Sequence, residues 1–146
     1  MKAEGDLEAR FASSLAALPR LHAVVDRFCR SRAIDPDIGF KIDLALEEVF
    51  TNIVRYGFAD DRTHQIAVRL QCDRHRIRIQ VDDDGRRFNP LLAPQVDTGA
   101  PLAERRPGGL GIHLVRRLLD EVRYQRRKSG NRLILIKRLA EEEKRT

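Results

Sequence analysis

Residues 36–57, PDIGFKIDLALEEVFTNIVRYG, decide how this chain is read. Asp35 offers a capping carboxylate just before them, Pro36 sits where a first helical turn tolerates a missing N–H, and Gly57 supplies a stop. Between those signals Ile42, Leu46, Val49 and Ile53 recur at steps of three and four. One long amphipathic helix with a buried stripe is predicted from Pro36 to Tyr56. Glu48 and Asn52 share a second face, about 100° round from Val49 and Ile53, at the border of the core.

Upstream, Leu18, Leu21, Val24, Val25 and Phe28 keep helical spacing within Leu15–Arg32, and Leu7–Ser13 alternates weakly, as an edge strand would. Downstream, His64–Cys72 places Ile66, Val68, Leu70 and Cys72 on one face. After the polar turn Asp73-Arg74-His75, Arg76–Val81 does the same with Ile77, Ile79 and Val81, which predicts a hairpin. Helical spacing returns over Leu110–Leu119. Val122–Arg127 and Arg132–Leu139 then form a last hairpin around Ser129-Gly130-Asn131. Strands grouped in hairpins among helices give an α+β class: a mostly antiparallel mixed sheet with helices packed on one face. No linker separates two cores, so residues 1–146 are expected to form a single domain.

At 146 residues, 42% hydrophobic and 34% charged, the chain can bury a core without staples. Cys29 and Cys72 lack metal-ligand spacing and are expected to be reduced, partly buried thiols. No apolar run approaches the roughly 20 residues that span a bilayer. The acids in MKAEGDLEARF argue against a secretory leader, so a cytoplasmic protein without membrane contact is expected. The net charge of +6 admits acidic or polyphosphate partners. Aromatic residues make up only 5%, with no Trp; without stacking platforms, direct nucleic-acid binding is not expected.

Three patches carry chemistry. On the long helix, the Asn52 amide oxygen is a hard ligand suited to Mg²⁺ beside phosphates, and Glu48, one turn earlier, is placed to take a proton from an attacking hydroxyl. A solvated helix flank would look the same. Glu47 points elsewhere and suits solvent, while Arg55 can pair with Glu48, reach a phosphate or lie on the surface. The strand IRIQV then runs into Asp82-Asp83-Asp84-Gly85. A buried carboxylate there can accept a hydrogen bond from the adenine amino group, contributing on the order of 1.5–3 kcal/mol, and reject guanine. Gly85 lets backbone approach the base. The alternatives are an acidic turn or a crude metal site. Finally, PGGLGIHLVRR sets Gly108, Gly109, Leu110 and Gly111 before a helix, where exposed N–H groups and the helix dipole suit an anion. This is neither a Walker loop nor a dinucleotide fingerprint. His113 belongs on that helix's surface, and Leu91–Gly109 has the length of a lid.

The order of these patches, E-x-x-x-N on a helix, D-x-G after a strand, a long loop, then G-G-L-G before a helix, resembles the GHKL ATPase superfamily of gyrase, heat-shock chaperone and histidine-kinase ATP domains. LALEEVFTNIVRYGF, VDDDGRRFNPL and GGLGIHLVRRLLDEVRY look more narrowly like the bacterial anti-sigma-factor serine kinases. That resemblance implies ATP and Mg²⁺ as cofactors, Asn52 as the metal ligand, Glu48 as general base and Asp83 with Gly85 at adenine. It also implies Gly108, Gly109, Leu110 and Gly111 over the phosphates. It further implies a sigma factor and a STAS-type antagonist as partners, serine phosphorylation of the antagonist, and a homodimer. Two positions depart from the pattern: Arg87 stands where a second glycine is common, and Phe88-Asn89-Pro90 replaces F-D-P. Arg105 and Arg106 either assist a γ-phosphate or are solvated loop charges. Three rivals remain: a nucleotide-dependent binding switch without phosphoryl transfer, the ATP domain of a histidine kinase, for which no phospho-acceptor helix is found, and a basic nucleic-acid binder.

Overall fold

The computed structural model describes residues 6–89 and 111–139, without the side chains of Gly111 and Ile112. Strand β1 (Leu7–Ala12) leads through a short 3-10 turn (Leu15–Ala17) into helix α1 (Leu18–Ser31) and helix α2 (Pro36–Tyr56). Then come β2 (Gln65–Cys72), β3 (Arg76–Asp83), α3 (Gly111–Leu118), β4 (Glu121–Arg127) and β5 (Gly130–Arg138). The strands form one five-stranded sheet in the order β1-β2-β3-β5-β4, and all four pairings are antiparallel. The helices pack on one of its faces, as the α+β reading expects.

Helix α2 has the bounds its sequence announces. The Asp35 carboxylate accepts from the Asp37 N–H at 2.8 Å, and Pro36 occupies the first turn. Ile42, Leu46, Val49 and Ile53 are buried, joined by Phe50, whose ring meets Phe11 of β1 edge-on at 6.1 Å. Gly57 ends the helix in right-handed geometry (φ −80°, ψ −16°), so the stop is not the left-handed cap a terminal glycine ordinarily supplies.

Helix α1 starts later than its spacing predicts. Pro19 is tolerated in a first turn but not in an interior, so Leu15–Ala17 forms a 3-10 turn capped by Ser14 and the α-helix begins at Leu18. At its far end Ala33 takes a left-handed conformation (φ 52°), with Ala33 N–H donating to Arg30 O and Ile34 N–H to Cys29 O. That is the two-bond helix ending in which glycine is usual. Cys29 is buried, Cys72 half-buried, and both are free thiols.

Alternation along the strands separates two environments. Ile66, Val68, Leu70, Ile77, Ile79, Val81, Leu133 and Leu135 face the helices in the core. The opposite face carries a string of side-chain bonds: Arg78 donates to Gln71 and Gln80, Gln80 to Asp82, and Arg132 grips Asp82 at 2.8 and 3.0 Å. Two strand boundaries differ from expectation by two residues, the others by at most one. β3 continues through Asp82 and Asp83, because Arg132 neutralises the first and Asn131 meets the second. The last turn is only Lys128-Ser129, since Gly130 pairs with Arg127 and belongs to β5 together with Asn131.

Candidate functional site

The last turns of α2 and the end of β3 meet through backbone. Arg86 N–H donates to Gly57 O at 3.0 Å, and the Arg86 guanidinium donates twice to Tyr56 O, at 3.1 and 2.9 Å. A Cβ on Gly85 would lie 2.2 Å from Gly57 O, so only glycine permits this approach. The close neighbour that requires glycine at 85 is thus the chain itself. The Tyr56 and Phe88 rings stand 6.0 Å apart across the same junction.

Two turns and one turn back along α2, Glu48 and Asn52 are 5% and 7% exposed, which makes them border residues of the core rather than a solvated flank. Glu47 departs from the expectation that it suits solvent alone. It is half-exposed but lies 3.2 Å from His22 Nε2, while His22 Nδ1 lies 2.6 Å from Asp43, so His22 ties α1 to α2. Burial acts to lower the His22 pKa, yet the hydrogen bonds and charges of Asp43 and then Glu47 outweigh it and raise the value above 6.5.

Asp83 sits at the end of β3 on the core face, 8% exposed. Burial raises its pKa, Asn131 and the Gly85 N–H oppose that by hydrogen bonding, Asp84 adds to it and Arg126 relieves it. Gly85 N–H at 2.8 Å and Asn131 Nδ2 at 2.9 Å both donate to Oδ1. Among the described residues no hydrogen bond falls on Oδ2.

Asn131, beside Asp83, is the residue of this corner that sequence reasoning missed. It is 2% exposed; its Nδ2 also donates to Arg86 O at 2.8 Å, and its Oδ1 accepts from Tyr124 OH, Phe88 N–H and Arg126 Nη1. One amide therefore fixes the Asp83 carboxylate, the loop after it and β4 together. The available signal was period-two alternation, since Asn131, Leu133 and Leu135 share a face and a polar group at an inward position needs partners. Ser-Gly-Asn as turn chemistry hid it. Gly130 completes the corner: a Cβ there would lie 2.0 Å from Asp83 O.

The donor set fits a magnesium nucleotide. A buried carboxylate with one oxygen held by the protein suits an exocyclic amine, and the Asn52 amide supplies one hard oxygen of the kind Mg²⁺ accepts beside phosphates. Among the described residues no group of three His, Cys, Asp or Glu side chains is arranged to hold a metal unaided. Gly111 opens α3, which packs against α2. Gly108, Gly109 and Leu110, like Arg105, Arg106 and the segment Leu91–Gly109, lie outside the described residues. His113 is exposed, as expected.

Sheet order, helix placement and this corner define a histidine kinase-like ATPase domain. Residues 11–137 match the family model of that description, and the chain belongs to this family, whose domains bind ATP with Mg²⁺. Within the GHKL class it is related to the anti-sigma-factor serine kinases. It is 29% identical over 103 residues to the serine/threonine-protein kinase BtrW of Bordetella bronchiseptica, covering 70% of this chain and 72% of that one. It is 29% and 33% identical to the serine-protein kinases RsbW of Bacillus subtilis and Bacillus licheniformis, each over 89 residues; the match spans 58% of this chain and 55% of each relative. Among solved structures, the RsbU and RsbW domains of a Mycobacterium tuberculosis protein share the fold at TM-score 0.63 and 20% identity, over 92% of this chain and 32% of that one. The histidine kinase domain of a blue-light activated kinase from Erythrobacter litoralis does so at 0.53 and 18%, over 88% and 62%. No helix among the described residues is long and apolar enough to cross a membrane.

Proposed function

We propose that residues 1–146 act as one ATP-binding domain of a cytoplasmic anti-sigma regulator that phosphorylates a serine on a STAS-type antagonist. A sigma factor is its alternative partner, and the active form is a homodimer. The reading is supported by the likeness to BtrW and the RsbW kinases. The observation that carries it is the Asp83 carboxylate, buried with both described hydrogen bonds on one oxygen, at the corner where the helix bearing Glu48 and Asn52 ends.

In this mechanism Asp83 accepts from the adenine amine through Oδ2, which a guanine carbonyl cannot satisfy. Gly85 keeps the carboxylate against the end of α2. The Asn52 amide would hold Mg²⁺, which would supply charge neutralisation on the phosphates. Glu48 would take the proton of the serine hydroxyl as that oxygen attacks the γ-phosphorus of ATP, the bond from phosphorus to the bridging oxygen breaks and ADP leaves with that electron pair. The N–H groups of Gly108, Gly109, Leu110 and Gly111 would hold the phosphates. Positioning and electrostatics carry most of the acceleration.

The test is phosphoserine formation on a cognate STAS partner with Mg·ATP, compared between wild type and Glu48→Gln. Transfer lowered by 10²-fold or more, with ATP affinity retained, is expected for loss of a general base. Undiminished transfer removes Glu48 from that role. Partner binding that follows the nucleotide without any phosphoserine would instead establish a binding switch.

A further inference from the structure

Arg86 is held at three points, two of them on the end of α2 and one on β5. Its N–H donates to Gly57 O at 3.0 Å, and its C=O accepts from Asn131 Nδ2 at 2.8 Å. Its guanidinium donates through Nε and Nη2 to Tyr56 O, at 3.1 and 2.9 Å. Tyr56 closes α2, where the last carbonyls of a helix lack helical partners, so a cation there also meets the negative end of the helix dipole. Asn52 lies four residues before Tyr56, about 6 Å along the axis at 1.5 Å per residue. Asp83 lies three residues before Arg86, and the Asn131 amide that holds Arg86 O also holds Asp83 Oδ1 at 2.9 Å. Arg86 therefore ties the strand end that carries Asp83 to the helix turn that follows Asn52.

We propose that Arg86 is a positioning residue, which holds Asp83 and Asn52 at one spacing so that a single nucleotide can engage both. The inference rests on the ATP-binding reading above, with Asp83 at the base and Asn52 at the metal. A nucleotide joins two recognition groups by a short link, and its second contact adds affinity only where the two protein groups stand at the matching distance. The backbone bond from Arg86 N–H to Gly57 O fixes one point of the helix end and leaves it free to turn about that point. The guanidinium grips the preceding carbonyl, so two successive carbonyls of α2 are held and direction is fixed along with distance. Gly85 permits this approach without holding it, since its contribution is the absence of a Cβ. Arg86 is exposed, so loss of its side chain should leave the chain folded.

The test is titration calorimetry on the full chain with Mg·ATP, adenosine and Mg·tripolyphosphate, which probe both ends together, the base end and the phosphate end. Arg86→Ala is expected to weaken Mg·ATP about tenfold, part of the roughly 10²- to 10⁴-fold that joining two contacts can add. Adenosine and Mg·tripolyphosphate should each change by less than about twofold, since neither spans the clamp. Arg86→Lys should bring Mg·ATP back to within about threefold of wild type, because both guanidinium bonds converge on one carbonyl and an ammonium can meet it. Equal weakening of all three ligands would reduce Arg86 to a structural role, and weakening of tripolyphosphate as large as that of ATP would make it a phosphate ligand. Either result overturns the proposal, as does unchanged Mg·ATP affinity in Arg86→Ala or a lysine variant no better than the alanine one. Wild type that fails to bind Mg·ATP removes the ATP-binding reading, and this inference with it.

Discussion

Burial at Asp83 opposes ionisation of its carboxyl, and that tension can be measured. Its carboxyl is raised above 3.8 in the folded chain, so the native state is penalised as pH climbs through 3.8 and on past the folded value. Asp83→Asn removes that penalty and keeps an oxygen for Gly85 and Asn131, so the melting temperature should not fall. It also turns an acceptor toward adenine into a donor, so ATP affinity should drop roughly 10- to 100-fold, on the order of 1.5–3 kcal/mol. Asn131→Ala should behave differently, because Asp83, Tyr124 and Arg126 all lose a buried partner. Stability should fall by about 1–3 kcal/mol in denaturant titrations, with weaker ATP binding alongside. Equal stability of the two variants would contradict the hub role of Asn131. His22 gives the same pH sign in a higher window. Its raised pKa means a stabilisation fully present below 6.5 and lost as pH rises through the folded value. His64, raised chiefly by its hydrogen bond to Asp60, acts in the same direction. Melting temperature should therefore decline from pH 6 toward pH 9, less steeply in His22→Gln than in wild type, and equal slopes would exclude a His22 contribution.

Elements were legible where local chemistry and burial agree. Helix α2 could be bounded to the residue because cap, proline, stripe and glycine all coincide in Asp35–Gly57. β3 could not, because acids after IRIQV look like a loop until Arg132 and Asn131 arrive from a strand 50 residues later. Long-range partners override local polarity, and spacing along one segment holds no record of them. The left-handed Ala33 was equally invisible, since alanine carries no turn signal. Left-handed geometry costs a non-glycine residue about 1–2 kcal/mol, part of which glycine returns as unfolded-state entropy. Ala33→Gly should therefore stabilise the chain by about 0.5 kcal/mol, seen as a higher denaturation midpoint at unchanged slope. A lower midpoint would mean that the α1–α2 connection draws on the methyl group.

At the scale of the molecule, the site was readable as an order of motifs rather than as a place. Glu48, Asn52 and Asp83 could be chosen from E-x-x-x-N and D-x-G, and the chain buries all three. The clamp that joins their elements, Arg86 on Tyr56 O and Gly85 against Gly57 O, could not be chosen, because guanidinium-to-carbonyl contacts have no sequence pattern. If this corner reads adenine, Mg·ATP should raise the melting temperature by several degrees at 100-fold excess over Kd, about 2.7 kcal/mol, and Mg·GTP at the same concentration should barely move it. Equal shifts would place recognition in the phosphates alone.

Gly130 has a bearing on how such a protein can diversify. With no room for even a methyl group against the Asp83 carbonyl, the spacing of two central strands is locked to the position of one carboxylate. Any side chain at residue 130 would push against the backbone of Asp83, the residue proposed to read the base. Asn131, which bonds Asp83 from the same strand, is bound into that corner just as tightly, so residue 130 and residue 131 are held to their identities by the same aspartate.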